Sequence, residues 1–128
     1  MSHLDEPMKY KSAEWVESIV MPGVRYLVRR ISLALRAEIT RRVKKLLAEL
    51  EYREGGEGLD DRLSAALVGA QVDMAYLDWG LARVQGLEID GQAATIPTLL
   101  ERGPEELSRE IAKTIRDRCR VTEPERKN

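Results

Sequence analysis

The stretch DDRLSAALVGAQVDMAYLDWGLARV, Asp60 to Val84, decides how the chain is read. Leu63, Leu67, Ala70, Met74, Leu77, Leu81 and Val84 follow one another at steps of 4, 3, 4, 3, 4 and 3. Those steps place all seven on one stripe of a helix. Ala66, Val68, Val72, Ala75, Tyr76 and Trp79 widen the apolar surface beyond a single seam, and few charges interrupt it: Arg62, Asp73, Asp78 and Arg83. A helix apolar on so many sides is normally covered by other elements. A coiled coil of two chains would need a longer run with charged flanks, and this one lasts only about three and a half heptads. The stretch therefore predicts the central helix of a small bundle, with the stripe as its internal core.

Upstream, Ser32 is placed to cap a long helix. Leu35, Ile39, Val43, Leu46, Leu47 and Leu50 form its apolar face, and it should end near Arg53. Gly55-Gly56-Glu57-Gly58 is a short connector, which predicts two long antiparallel helices. Asp60 or Asp61 can cap the second. Before Ser32, Val24, Tyr26 and Val28 alternate with Arg25, Leu27 and Arg29, predicting a short β segment near residues 24–30. Met21-Pro22-Gly23 breaks the chain ahead of it. Trp15, Val16, Ile19 and Val20 suit a short helix or an extended anchor, and residues 1–12 a flexible polar arm.

Downstream, Gly80 and Gly86 weaken and end the central helix. Leu87 to Ala93 alternates around Asp90-Gly91, predicting a turn or mini-hairpin near 87–93. Thr95 can cap a short helix with Pro97 in its first turn and Gly103 at its close. Leu107, Ile111, Ile115 and Cys119 recur every four residues along a last helix that starts after Pro104. Thr122-Glu123-Pro124-Glu125 has capping-box spacing. The expected fold is mainly α: a small helical bundle, forming one domain over residues 13–128.

Composition narrows the function. The chain has 128 residues, 34% of them charged, and a formal net charge of −1, so no field of one sign covers it. No apolar run reaches the length of a membrane helix and no signal-peptide core opens the chain, which predicts a soluble cytoplasmic protein. His3 is the only histidine and Cys119 the only cysteine. Triad chemistry and an N/S zinc site have no support, and Cys119 falls on an apolar stripe as a structural thiol. The glycine connector lacks the lysine and preceding strand of a phosphate loop. Acid pairs sit at helix starts, where capping accounts for them. No catalytic residue, metal ligand or cofactor is expected.

The one local charge signal is basic. Arg25 to Lys45 holds eight Lys or Arg and a single acid, Glu38. Arg29, Arg30, Arg36, Arg41, Lys44 and Lys45 are the candidate partner-binding residues, read against the alternative of a solvated helix face. Nucleic acid is not the expected partner, because the basic helix lacks the aromatic residues that accompany single-strand binding.

Two regions resemble a known family. Pro22-Gly23-Val24-Arg25-Tyr26-Leu27-Val28-Arg29-Arg30-Ile31-Ser32, with Arg36 and Glu38 beyond, is similar to the entry of phage tail assembly chaperones. Gly103-Pro104-Glu105-Glu106-Leu107 through Ile111, and Val121-Thr122-Glu123-Pro124-Glu125-Arg126-Lys127-Asn128, resemble their close, with Pro124 in place of an acid and Val121 in place of a leucine. The resemblance implies a small, helical, non-enzymatic protein of the bacterial host cytoplasm. It implies binding to the tape-measure protein, keeping it soluble while tail-tube subunits polymerise around it, with the tail-tube protein as a second expected partner. Two alternatives stand beside it: another phage morphogenetic or adaptor protein, and a small helical nucleic-acid-binding regulator.

Overall fold

The computed structural model describes residues 6–54 and 59–120. In chain order these form strands β1 (Ala13–Glu17) and β2 (Arg25–Arg29), helices α1 (Leu33–Glu54) and α2 (Leu59–Gly80), and strand β3 (Leu81–Gln85). Two-residue strands β4 (Glu88–Ile89) and β5 (Gln92–Ala93) and helices α3 (Ile96–Arg102) and α4 (Glu105–Cys119) complete it. The glycine connector and the Thr122–Glu125 box lie outside the described residues.

The mainly α bundle is overturned. The fold is mixed α/β: β1, β2 and β3 form an antiparallel sheet in that order, and β4 and β5 a second small one. The central helix stops at Gly80, and Leu81 and Val84 belong to a strand instead of the helical stripe. The cause is tertiary. A Cβ at residue 80 would lie 2.6 Å from Ile115 Cγ2, so α4 crosses the end of α2 where only glycine fits. Past that crossing the chain alternates, and β3 zips onto β2 with Val84 opposite Tyr26 and Arg83 opposite Leu27.

The stripe is corrected as well. Leu77 is buried at 2% exposure, but Leu63 and Leu67 are 60% exposed and Met74 52%. The buried side of α2 carries Val68, Val72, Ala75 and Trp79, a second set spaced 4, 3 and 4. Both sets satisfy helical periodicity. The sheet and α4 choose between them: Tyr26, Val28, Leu81, Leu107, Ile111 and Ile115, all nearly solvent-free, pack in one cluster with Val72, Ala75 and Trp79 of the second set. The Trp79 indole N–H is the one buried side-chain polar atom left without a partner among the described residues.

Of the two alternatives for Trp15, Val16, Ile19 and Val20, the extended one holds for Trp15 and Val16, which lie in β1, while Ile19 and Val20 fall in the turn after it. β1 pairs with β2 through Trp15 opposite Leu27, and Gly23 takes φ +95° in the connecting turn. Asp60 and Asp61 lie inside the first turn of α2, where carboxylates suit the helix dipole. Asp90 and Gly91 both have positive φ, at 53° and 83°, the pattern of a type I′ turn joining β4 to β5. Thr95 and Thr98 cap α3 reciprocally, each backbone N–H donating to the other's hydroxyl oxygen.

One carboxylate ties the first turn to the last helix. Glu110 of α4 accepts hydrogen bonds from Ser18 Oγ (2.8 Å), the N–H of Ile19 (3.1 Å), the N–H of Val20 (3.0 Å) and the Tyr26 hydroxyl (2.8 Å). Burial works to raise its pKa, but these donors outweigh it and the net shift is downward. Burial also pushes the Tyr26 hydroxyl up to about 12, against a hydrogen bond with Thr114 that acts the other way.

Two outcomes are expected. Leu77→Ala should cost about 2–5 kcal/mol in denaturant unfolding, whereas Leu67→Ala, largely exposed, should cost under about 1 kcal/mol. A lowered native pKa means that Glu110 contributes stability in full above the ordinary glutamate range and loses it as pH falls through the native value. Glu110→Gln should therefore cost about 2 kcal/mol at neutral pH, and the gap to wild type should close in acid. Chemical melts at neutral and acidic pH measure both.

Candidate functional site

α1 and α2 run against each other: Arg42, in the first half of α1, bonds to Asp78 at the far end of α2 (3.3 Å). α4 lies across α2, with Arg116 reaching Asp73 (3.4 Å). Where α1 and α4 diverge over the end of α2, they leave an open groove of about 640 Å³. Its floor is apolar: Ile39 and Val43 of α1, Tyr76 of α2 and Cys119 of α4. Its rim is cationic: Arg36 and Lys44 from α1, Arg116 and Arg120 from the end of α4. Among the described residues neither Arg36 nor Lys44 has an ion-pair partner, and Arg120 only approaches Asp117 at 4.0 Å.

The floor shapes the chemistry of its two titratable groups. Burial raises the Cys119 thiol, with the nearby Arg36 charge opposing it. Burial raises the Tyr76 hydroxyl too, and the Arg116 and Arg120 charges oppose that. Neither group is poised as a nucleophile or base near neutral pH. Among the described residues, no group of three or more His, Cys, Asp or Glu gathers to hold a metal ion. What the groove can do is bind: apolar surface below, positive charge above, with Arg36 and Lys44 free of ion pairs among the described residues.

The six basic residues singled out from sequence divide among separate places. Arg36 and Lys44 reach the groove. Arg41 is tied to Glu38 on the exposed side of α1 (2.7 Å), and Lys45 is exposed away from the groove lining. Arg29 closes β2, and Arg30 follows it and pairs with Glu14 of β1 at 3.7 Å. Arg116 and Arg120 escaped the sequence reading. Their signal was local: three arginines, Arg116, Arg118 and Arg120, crowd the last turn and its flank around Cys119, but only the crossing of α4 over α2 brings two of them to the groove that Arg36 lines.

A second apolar surface adjoins the first. Leu63, Leu67, Ala70 and Met74 run along the open side of α2, beside a shallow cleft of about 540 Å³ whose rim ions Asp73–Arg116 and Glu105–Arg109 are mutually paired. No helix among the described residues is long and apolar enough to cross a membrane.

No family model matches the chain, and neither the curated proteins nor the solved structures give a significant match.

The raised thiol sets an expectation. Cys119 should alkylate with iodoacetamide well below the rate of a free cysteine at neutral pH, and its rate should rise only at pH values above the ordinary thiol range. Mass spectrometry of the timed reaction measures it.

Proposed function

We propose that the chain is a non-enzymatic binding protein for an amphipathic helical client, and that it acts as a phage tail assembly chaperone for the tape-measure protein in the bacterial cytoplasm. The observation that carries this reading is the uncovered line of Leu63, Leu67, Ala70 and Met74 on α2. Its spacing of 4, 3 and 4 is that of a helix–helix seam, and the core is complete without it. Apolar side chains of this size exposed in a row mark contact surfaces. A helical client docks on such a line through anchors at i, i+3, i+4 and i+7. The cationic groove on the other side of the Asp73–Arg116 pair favours clients with acidic flanks, since matching charge steers encounter. The ends of the chain supply the identity of the client, through their resemblance to tail assembly chaperones. A tail-tube subunit is the second partner that this resemblance brings.

Co-expression tests it. The wild-type chain should raise the soluble yield of its cognate tape-measure protein and be recovered with it by pull-down. Leu67→Glu with Met74→Glu, both at exposed positions, should abolish that gain without lowering the melting temperature by more than a few degrees. Arg36→Glu with Lys44→Glu should weaken it and remove its salt dependence. A client equally insoluble with and without the chain defeats the proposal, and recovery with portal or head–tail subunits instead favours an adaptor.

A further inference from the structure

The sheet has two unlike faces. Alternation along β2 turns Tyr26 and Val28 into the core and Arg25, Leu27 and Arg29 outward. Register extends the outward face across all three strands: Trp15, Leu27 and Arg83 form one row, and Glu17, Arg25 and Gln85 the next. Trp15 and Leu27 take no part in the core cluster, which β1 joins through Val16 and β3 through Leu81 and Val84. Arg25, Arg29 and Arg83 are exposed.

Three features give this face a chemistry. The Arg25 guanidinium lies 4.3 Å from the centroid of the Trp15 ring, so indole and guanidinium form a two-layer stack. Arg25 is held there by donating Nε–H to Gln85 Oε1 at 2.9 Å, a neutral partner that leaves its charge intact. Arg29 and Arg83 have no ion-pair partner among the described residues, and Glu17 is the one acid in the two rows, unbonded to Arg25. Three unneutralised arginines around an aromatic stack suit a polyanion with planar groups. Acidic peptide satisfies the charges but has nothing to stack. Single-stranded nucleic acid satisfies both, because a guanidinium plane or an indole is a platform for an unpaired base and the arginines meet the flanking phosphates. The basic helix lacks that ring, and the fold supplies it on the sheet.

We infer that the outer face of the β1–β2–β3 sheet binds single-stranded nucleic acid, stacking a base on the Arg25–Trp15 pair and holding adjacent phosphates with Arg29 and Arg83. This site is separate from the client surfaces on α1, α2 and α4 and does not rest on the chaperone reading. Binding is local and salt-sensitive, since the whole chain carries a net charge of −1.

The test is a titration of fluorescein-labelled oligothymidylate with the full chain, followed by anisotropy as salt is raised. Saturable binding is expected at low salt, with log K falling against log salt at a slope of about −1.4, the value for the two phosphates held by Arg29 and Arg83 on a single strand. Arg29→Glu with Arg83→Glu should lose about tenfold or more, while Arg29→Lys with Arg83→Lys should keep most of the affinity. Trp15→Leu should weaken binding about tenfold with the slope unchanged, and should remove the tryptophan quenching seen in wild type, Trp79 being buried. Thermal melts matching wild type show that these surface variants fold. The inference is overturned if no binding appears at low salt, or if the glutamate variant binds like wild type. It is overturned equally if Arg36→Glu with Lys44→Glu is what abolishes binding, which places the anion in the α1–α4 groove. Displacement of the oligonucleotide by polyglutamate as readily as by unlabelled oligothymidylate also overturns it, and makes the face an acidic-protein surface.

Discussion

The carboxylate of Glu110 is the constraint on which the rest of the molecule depends. Four donors converge on it: the Ser18 hydroxyl, two successive backbone N–H groups at Ile19 and Val20, and the Tyr26 hydroxyl. The backbone donors sit in an exposed turn, but Ser18 and Tyr26 are buried, and leaving their hydroxyls without this acceptor would be expensive. Ser18 in turn accepts from the N–H of Met21, so the turn folds around the same anchor. Tyr26, fully buried, carries the constraint from the turn into the centre of the sheet. The sheet is thereby fixed against α4, α4 against α2 at Gly80, and α2 against α1.

What was legible in the sequence was whatever a few neighbouring residues decide. The alternation of Val24 to Arg29 marks a real strand, the Asp90-Gly91 pair a real turn, and Thr95 a real cap, because each signal and its cause lie within one turn of chain. Ser32 likewise accepts the Leu35 N–H at the start of α1. The apolar stretch from Asp60 to Val84 failed where the cause is distant. Two stripes of equal spacing compete there, and the choice belongs to Ile115 and Ile111, some forty residues on in sequence. The same contact ends the helix at Gly80 and frees Leu81 to Gln85 for the sheet, so one missed crossing turned an α/β fold into a bundle. The candidate groove was half legible: Arg36 and Lys44 could be named from the basic run, but their opposites on α4 become neighbours only through that crossing.

Charge is distributed by the same geometry. Arg42–Asp78 joins the neighbouring helices α1 and α2, and Arg116–Asp73 and the contact of Arg118 with Glu14 join elements farther apart in sequence, yet such partly exposed pairs each contribute little. Packing sets their positions. The cations that matter for recognition are those the packing leaves over. Arg36 and Lys44 stay unpaired on the groove rim, and Arg29 and Arg83 on the sheet, so a chain with almost no net charge still carries two positive surfaces.

The bond from Ser18 to Glu110 spans 92 residues, and the order in which the chain is synthesised gives that span a consequence. The β1–β2 hairpin leaves the ribosome well before Glu110, its principal acceptor, is made. β3, which completes the sheet, emerges only after both long helices. α1 and α2, adjacent in sequence, can pair early, since local contacts form fastest and distant ones late. A nascent chain that has not yet reached α4 therefore holds a helical pair beside an unfinished sheet, with Tyr26, Val28 and the faces of α2 meant for α4 still uncovered. Such surfaces are where partly made chains aggregate. During synthesis this vulnerable interval closes only when α4, with Ile111, Ala112 and Ile115 beyond Glu110, has emerged to cover those surfaces.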